Sequence, residues 1–168
     1  MYVDETGFDA PLIREYAYSD KGQPIGGECT GKRFARTSLI AALKEGQSIA
    51  PMEFRGYCDT QVVLSWVEQM LIPSLKPGDV VIWDNATFHK SSKLTEALAA
   101  AGIGLLFLPP YSPDLNPIEM AFSKLKAHLR RIGARTIEDL WKAIGDICGL
   151  YTPEECWNYF AKAGYASD

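Results

Sequence analysis

Apolar positions along the chain fall into helical and strand-like patterns. Between Asp59 and Leu75, the residues Val62, Val63, Trp66, Val67, Met70 and Leu71 recur at intervals of three and four, which places them on one face of a helix that Asp59 or Thr60 can cap. Pro77-Gly78-Asp79 then marks a turn. Val80-Val81-Ile82-Trp83 is a continuous apolar run, the pattern of a strand buried on both faces. A helix over about 92–101 and a second buried strand, Ile103 to Leu108, follow, and this alternation predicts parallel pairing. Upstream, Tyr2 to Asp4 reads as the remnant of a strand and residues 14–19 as another, ended by Asp20-Lys21-Gly22. Residues 33–44 and 48–54, parted by Gly46, read as an antiparallel hairpin. Downstream, the segment from Pro109 to Pro117 is too proline-rich for helix or strand. A long helix opens after it, with Ile118, Phe122, Leu125, Leu129 and Ile132 on one stripe, and two more, over about 136–148 and 153–163, close the chain.

At 168 residues the chain has the length of one domain, at roughly 150 residues each. Its 47% hydrophobic and 23% charged content is that of a globular protein and not of a disordered or fibrous one. No apolar run approaches the ~18 residues of a membrane span, and Asp4 and Glu5 stand where a signal peptide needs cationic and then apolar residues. A cytoplasmic protein is expected. Cys29, Cys58, Cys148 and Cys156 contain no CxxC pair and read as reduced packing residues.

The net charge of -4 argues mildly against nucleic acid, but the charge is unevenly spread. Residues 120–135 carry five basic groups, Lys124, Lys126, Arg130, Arg131 and Arg135, and no acidic one. Such a stripe suits either a solvated helix face or a track for phosphates.

The acids carry more information. Asp84 ends an apolar strand, where open α/β sheets place their functional groups; a lone Asp-Asn could equally form an Asx-turn. Asp4 also follows a short strand and lies on the face opposite Val3 and Glu5, and either acid could be the functional one. Glu119 can be read as the N3 member of a capping box with Asn116 as N-cap and Pro117 at N1. Alternatively it opens a helix face on which Ser123, Lys126 and Arg130 follow. Three carboxylates on separate elements form a hard-oxygen donor set suited to Mg2+ or Mn2+, and two such ions can drive in-line phosphodiester displacement. His89 and His128, the only histidines, have no partners at zinc-ligand spacing. Phosphate-loop, nucleophile-elbow and dinucleotide-binding motifs are absent.

Three segments, Asp4-Glu5-Thr6-Gly7, Trp83-Asp84-Asn85-Ala86 with His89-Lys90, and Leu108-Pro109-Pro110-Tyr111-Ser112-Pro113-Asp114-Leu115-Asn116-Pro117-Ile118-Glu119, together resemble the catalytic domain of DDE transposases of the Tc/mariner superfamily, nearest to the bacterial insertion sequence 630 family. The 34 residues between Asp84 and Glu119 match that group. The likeness extends through Thr136 to Leu140 and Gly164-Tyr165, essentially the whole chain. It implies an RNase H-like fold, a five-stranded mixed α/β sheet with helices on both faces and strands one and four adjacent and parallel. By motif match, Asp4, Asp84 and Glu119 become the metal-binding and catalytic triad for two Mg2+ or Mn2+ ions. Asn85 and His89 take substrate or second-layer roles, and Lys126, Arg130 and Arg131 can hold DNA phosphates.

The resemblance further implies cleavage at transposon ends, strand transfer into target DNA and a homodimer in the active complex. The competing readings are an inactive or domesticated remnant that binds DNA or protein, and a nuclease that only cuts. Two departures stand out. Phe122 replaces the family's usual Trp. The family's proteins begin with helix-turn-helix modules, whereas this chain begins inside the first catalytic strand, which puts Asp4 near a fraying end. End recognition is then expected from a helix-turn-helix half on a separate or frameshift-fused chain.

Overall fold

The computed structural model describes residues 1–8, 20–23, 36–44, 46–134 and 136–165. The strand expected over 14–19, with Cys29 and Arg135, lies outside them. Five strands, β1 (Tyr2–Phe8), β2 (Thr37–Lys44), β3 (Gln47–Arg55), β4 (Val80–Trp83) and β5 (Gly104–Phe107), form one sheet in the order β3-β2-β1-β4-β5. The expected hairpin is β2–β3, antiparallel, and β4–β5 is parallel. β1 runs antiparallel to β2 and parallel to β4, with Val3 opposite Trp83. Asp4 therefore lies in a central strand, paired opposite Ala41, and not at a fraying end. A Cβ added at Gly7 would stand 2.3 Å from the Arg36 guanidinium, so a larger residue there would displace that side chain.

Strand alternation sorts β1 between two cores. Tyr2 and Phe8 join Leu39, Ala41 and Leu43 beneath three helices, α3 (Pro117–Ile132), α4 (Ile137–Cys148) and α5 (Pro153–Lys162). Val3 joins Ile40, Ala42, Val81 and Trp83 beneath α1 (Thr60–Trp66) and α2 (Ser92–Ala100). Asp59 caps α1 through its carboxylate, which accepts from the Val62 N–H. The single helix expected up to Leu75 is in fact three consecutive pieces: α1 widens into a π turn, Val67–Leu71, then tightens into a 3-10 turn, Ile72–Ser74. Pro73 lacks the N–H that would continue the α pattern.

Three burial expectations are corrected. β5 lies at the sheet edge, with Leu106 57% and Phe107 38% exposed, and Val80 at the start of β4 is 38% exposed. An apolar run does not distinguish a central strand from an edge covered on one side. Ile132, the last residue of α3, is likewise exposed, while Ile118, Phe122, Leu125 and Leu129 are buried as the stripe predicts. The helix stops at Gly133, whose φ of 64° suits glycine and whose N–H donates to the Leu129 carbonyl. Phe122 fills its site, and a residual cavity of only about 20 Å³ lies beside it. Cys156 is buried and Cys58 and Cys148 are half-buried free thiols.

Candidate active site

β1 at Asp4, the C-terminal end of β4 and the start of α3 meet at a pocket of about 480 Å³, lined by Asp4, Asp84 and Glu119 together with Asn85, Lys90 and the proline-rich segment 108–113. Each acid arrives by a separate local cause. Asp4 faces the α3 side because alternation sends its neighbours Val3 and Glu5 to the other face. Asp84 follows the last residue of β4. Glu119 is in the first turn of α3, which Pro117 opens with its preset φ. Tyr165 ties the loop before α3 to the sheet: its hydroxyl donates to the Leu115 carbonyl at 2.9 Å, and its ring lies 4.8 Å from that of Tyr2.

Asp4 is 7% exposed. Its Oδ1 accepts from the Glu5 N–H at 2.8 Å and its Oδ2 from Asn116 Nδ2 at 2.8 Å. Burial, and then the charges of Glu5, Glu119 and Asp84, push its carboxyl up to about 8 despite the Glu5 N–H. Asp84 is the open member, its side chain 43% exposed. The Asx-turn is present, since Asp84 Oδ1 accepts from the Ala86 N–H at 3.2 Å, and the same oxygen meets Nδ1 of His89.

His89 is fully buried, so its ring lies behind the pocket wall. Its ring packs 4.4 Å from that of Trp83, and its Nε2 lies 3.2 Å from Glu5 Oε2, within ion-pair range. Burial opposes the charged imidazole; Asp84 and Glu5 outweigh it and hold His89 up at about 9. In return, although burial works against it, the His89 contact keeps Asp84 below the ordinary carboxylate range. Glu5, weighed above as an alternative to Asp4, is thus spent on His89 and does not line the pocket.

The capping box does not form. Asn116 is the N-cap of α3, but its side chain makes no cap bond and turns to Asp4. Of the basic residues, Lys124 is taken by Glu155 at 2.5 Å and lies over the Tyr151 ring. Lys126 is half-buried and Arg130 exposed, on the Glu119 face roughly 10 and 16 Å further along the helix. Arg131 points about a third of a turn away, toward His128 Nδ1 at 3.1 Å. Asn85 is half-buried in the pocket wall.

Sequence reasoning missed Lys90 and Tyr111 in this wall. Lys90 adjoins His89 in the same motif. Tyr111 is wholly exposed with a φ of 57°, a left-handed backbone that nothing in an aromatic residue announces.

The acids line the pocket without closing on one point; among the described residues no three His, Cys, Asp or Glu side chains converge as a finished metal cage. The donor set nevertheless fits a hard divalent cation. It is all carboxylate, it comes from three elements, and the repulsion from neighbouring acids that adds to burial in lifting Asp4 is what a cation would relieve.

A Tc-type relative, the Tcb2 transposase of Caenorhabditis briggsae, is 34% identical over 68 residues, 36% of this chain and 25% of the relative. Two solved structures, the Mos1 transposase paired-end complex with left transposon end and the Mos1 mariner paired end complex with Mn, superpose with a TM-score of 0.75 at 18% and 19% identity, covering 96% of this chain and 51% of theirs. These likenesses carry the RNase H-like fold, and the chain spans about half of the Mos1 chains and a quarter of the Tcb2 transposase. The DDE superfamily endonuclease profile matches residues 1–141, and with acids from β1, β4 and α3 on one pocket, the chain belongs to the DDE superfamily endonuclease family.

Proposed function

We propose that this chain is a transposase catalytic domain that cleaves DNA at transposon ends and joins the freed end to target DNA. The observation that carries the reading is the arrival of Asp4, Asp84 and Glu119, from three elements, in one open pocket. These three carboxylates would hold two Mg2+ or Mn2+ ions, which when bound supply an activated water and stabilise the leaving oxygen. The chain's own residues prepare the site. His89 keeps its proton at Nδ1 against Asp84 Oδ1, so that this carboxylate stays ionised. Lys90 stands in the pocket wall, while Lys126 and Arg130 extend the cationic surface along α3 to hold the phosphodiester backbone of double-stranded DNA. Arg131 and Asn85 would add contacts from positions flanking that path. Hydrolysis breaks the P–O3' bond; the 3'-hydroxyl released then attacks a target phosphodiester, forming a new P–O3' bond as the target strand's own P–O3' bond breaks and its 3'-oxygen leaves with the proton.

Base-specific recognition of the ends needs contacts to base edges in addition to those on the backbone. A helix-turn-helix half supplied on a separate or fused chain, a homodimeric active complex and action at the nucleoid complete the proposal. Among the described residues no helix is long and apolar enough to cross a membrane.

The test is cleavage and strand transfer on DNA carrying the element's ends, with Mg2+ or Mn2+ and the helix-turn-helix half supplied. Asp84→Asn nearly preserves shape but removes the ligand charge, and should abolish both steps with the fold intact. Glu119→Gln should do the same, whereas a residue serving only the helix start would tolerate Gln. Near-native cleavage by either variant overturns its metal role.

A further inference from the structure

Asn116 occupies the N-cap of α3 without using its side chain there. Helices α1, α4 and α5 are capped in the ordinary way, by Asp59, Thr136 and Thr152. The Asn116 amide instead reaches a residue 112 positions away in the chain and donates from Nδ2 to Asp4 Oδ2 at 2.8 Å. Both residues are buried, at 2% and 7% exposure. The other amide atom, Oδ1, is buried with no hydrogen-bond partner, a cost folded proteins rarely bear without a reason. The start of α3 therefore gives up a cap bond and leaves an acceptor unpaired in order to aim a donor at Asp4.

The consequence is geometric. With Glu5 N–H on Oδ1 and Asn116 Nδ2 on Oδ2, rotation of the Asp4 carboxylate is blocked, while each oxygen keeps acceptor capacity toward the pocket. Asn116 is also only three residues before Glu119, so the same bond fixes the first turn of α3 against β1. One amide thus sets both the direction of one acid and its spacing from another.

We propose that Asn116 is a positioning residue whose bond to Asp4 sets the divalent-cation affinity of the pocket; this rests on the reading that Asp4, Asp84 and Glu119 take Mg2+ or Mn2+. Groups that orient a ligating carboxylate typically change metal affinity about 10- to 100-fold when removed.

The experiment is a Mn2+ titration of the whole chain, following free Mn2+ by electron paramagnetic resonance, with melting temperatures in parallel. Asn116→Ser is the informative variant, because Ser caps a helix as well as Asn does but is too short to reach Asp4. Asn116→Ala removes both capacities. Thr136→Ala, which deletes the cap of α4 away from the pocket, reports what lost helix capping alone does. The expected result is Mn2+ binding weakened about 10-fold or more in both Asn116 variants and unchanged in Thr136→Ala. Asn116→Ser binding Mn2+ within about twofold of the parent, below that range, would overturn the positioning role and leave the metal site standing. A parent chain that binds no Mn2+ at millimolar concentration would overturn both.

Discussion

Replacing Asp4 by Asn should stabilise the metal-free protein while removing its response to metal. Burial, with Glu5, Glu119 and Asp84 nearby, raises the Asp4 carboxyl from 3.8 to about 8. In the unfolded chain it ionises near its ordinary value, so between about pH 4 and pH 8 the folded state binds the extra proton and stability falls as pH rises. At about 1.4 kcal/mol per pH unit, the ceiling on this cost is roughly 4 kcal/mol at pH 7 and roughly 6 kcal/mol above pH 8. Relaxation and water entry lower it, and a gain of at least about 2 kcal/mol is expected for Asp4→Asn at pH 8, or about 4–8 °C in melting temperature for a chain of this size. The substituted amide can still accept from the Glu5 N–H, and a flip of the Asn116 amide can satisfy its other end. Thermal melts of both proteins at pH 5 and pH 8, in chelator and in Mn2+, give the answer. The gap should be small at pH 5, widen at pH 8 in chelator, and narrow or reverse in Mn2+ because only the parent is stabilised by the ion. Parallel pH curves, or a variant less stable than the parent at pH 8 in chelator, would refute the account of Asp4 as an acid held in wait for a cation.

Replacing both Lys126 and Arg130 by Ala should weaken DNA binding across sequences and flatten its log-log salt dependence by about one unit per lost contact; an unchanged slope would make this a solvated face. The Glu155 carboxyl stays below its ordinary 4.5 because Lys124 and the Tyr159 hydroxyl outweigh its burial. Its stabilisation is therefore present above about pH 4.5 and lost as pH falls through the lower folded value. Glu155→Gln should cost roughly 1–2 kcal/mol at pH 7 and almost nothing near pH 2 in denaturant titrations; an equal loss at both pH values would contradict the ion pair.

The buried stripe of α3 and the β2–β3 hairpin were legible because burial on one face writes a period into the sequence. So was the neighbourhood of Asp84, where an apolar run breaks at an acid. Edge position was not: β5 carries the same apolar letters as a central strand, and only the sheet order reveals that Leu106 faces solvent. The triad itself was nameable only through resemblance, since strand pairing over nearly eighty residues brings Asp4 to Asp84. Asn116 shows the limit best. Its place before Pro117 predicts a capping side chain, and the prediction fails because a buried carboxylate across the pocket competes for the same amide. Of the substrate and second-layer roles that the resemblance implies for His89, its burial fits the second, and nothing local tells a turn histidine that Trp83 will cover its ring.

The central claim is that Asp4, Asp84 and Glu119 together receive divalent cations. Crystals of this chain soaked in Mn2+ and measured at the manganese absorption edge would test it directly. The account predicts anomalous density in the pocket within coordination distance of carboxylate oxygens from all three acids, and its loss in Asp84→Asn crystals treated the same way. Manganese bound only elsewhere on the chain, or density in the pocket that survives Asp84→Asn unchanged, would contradict it.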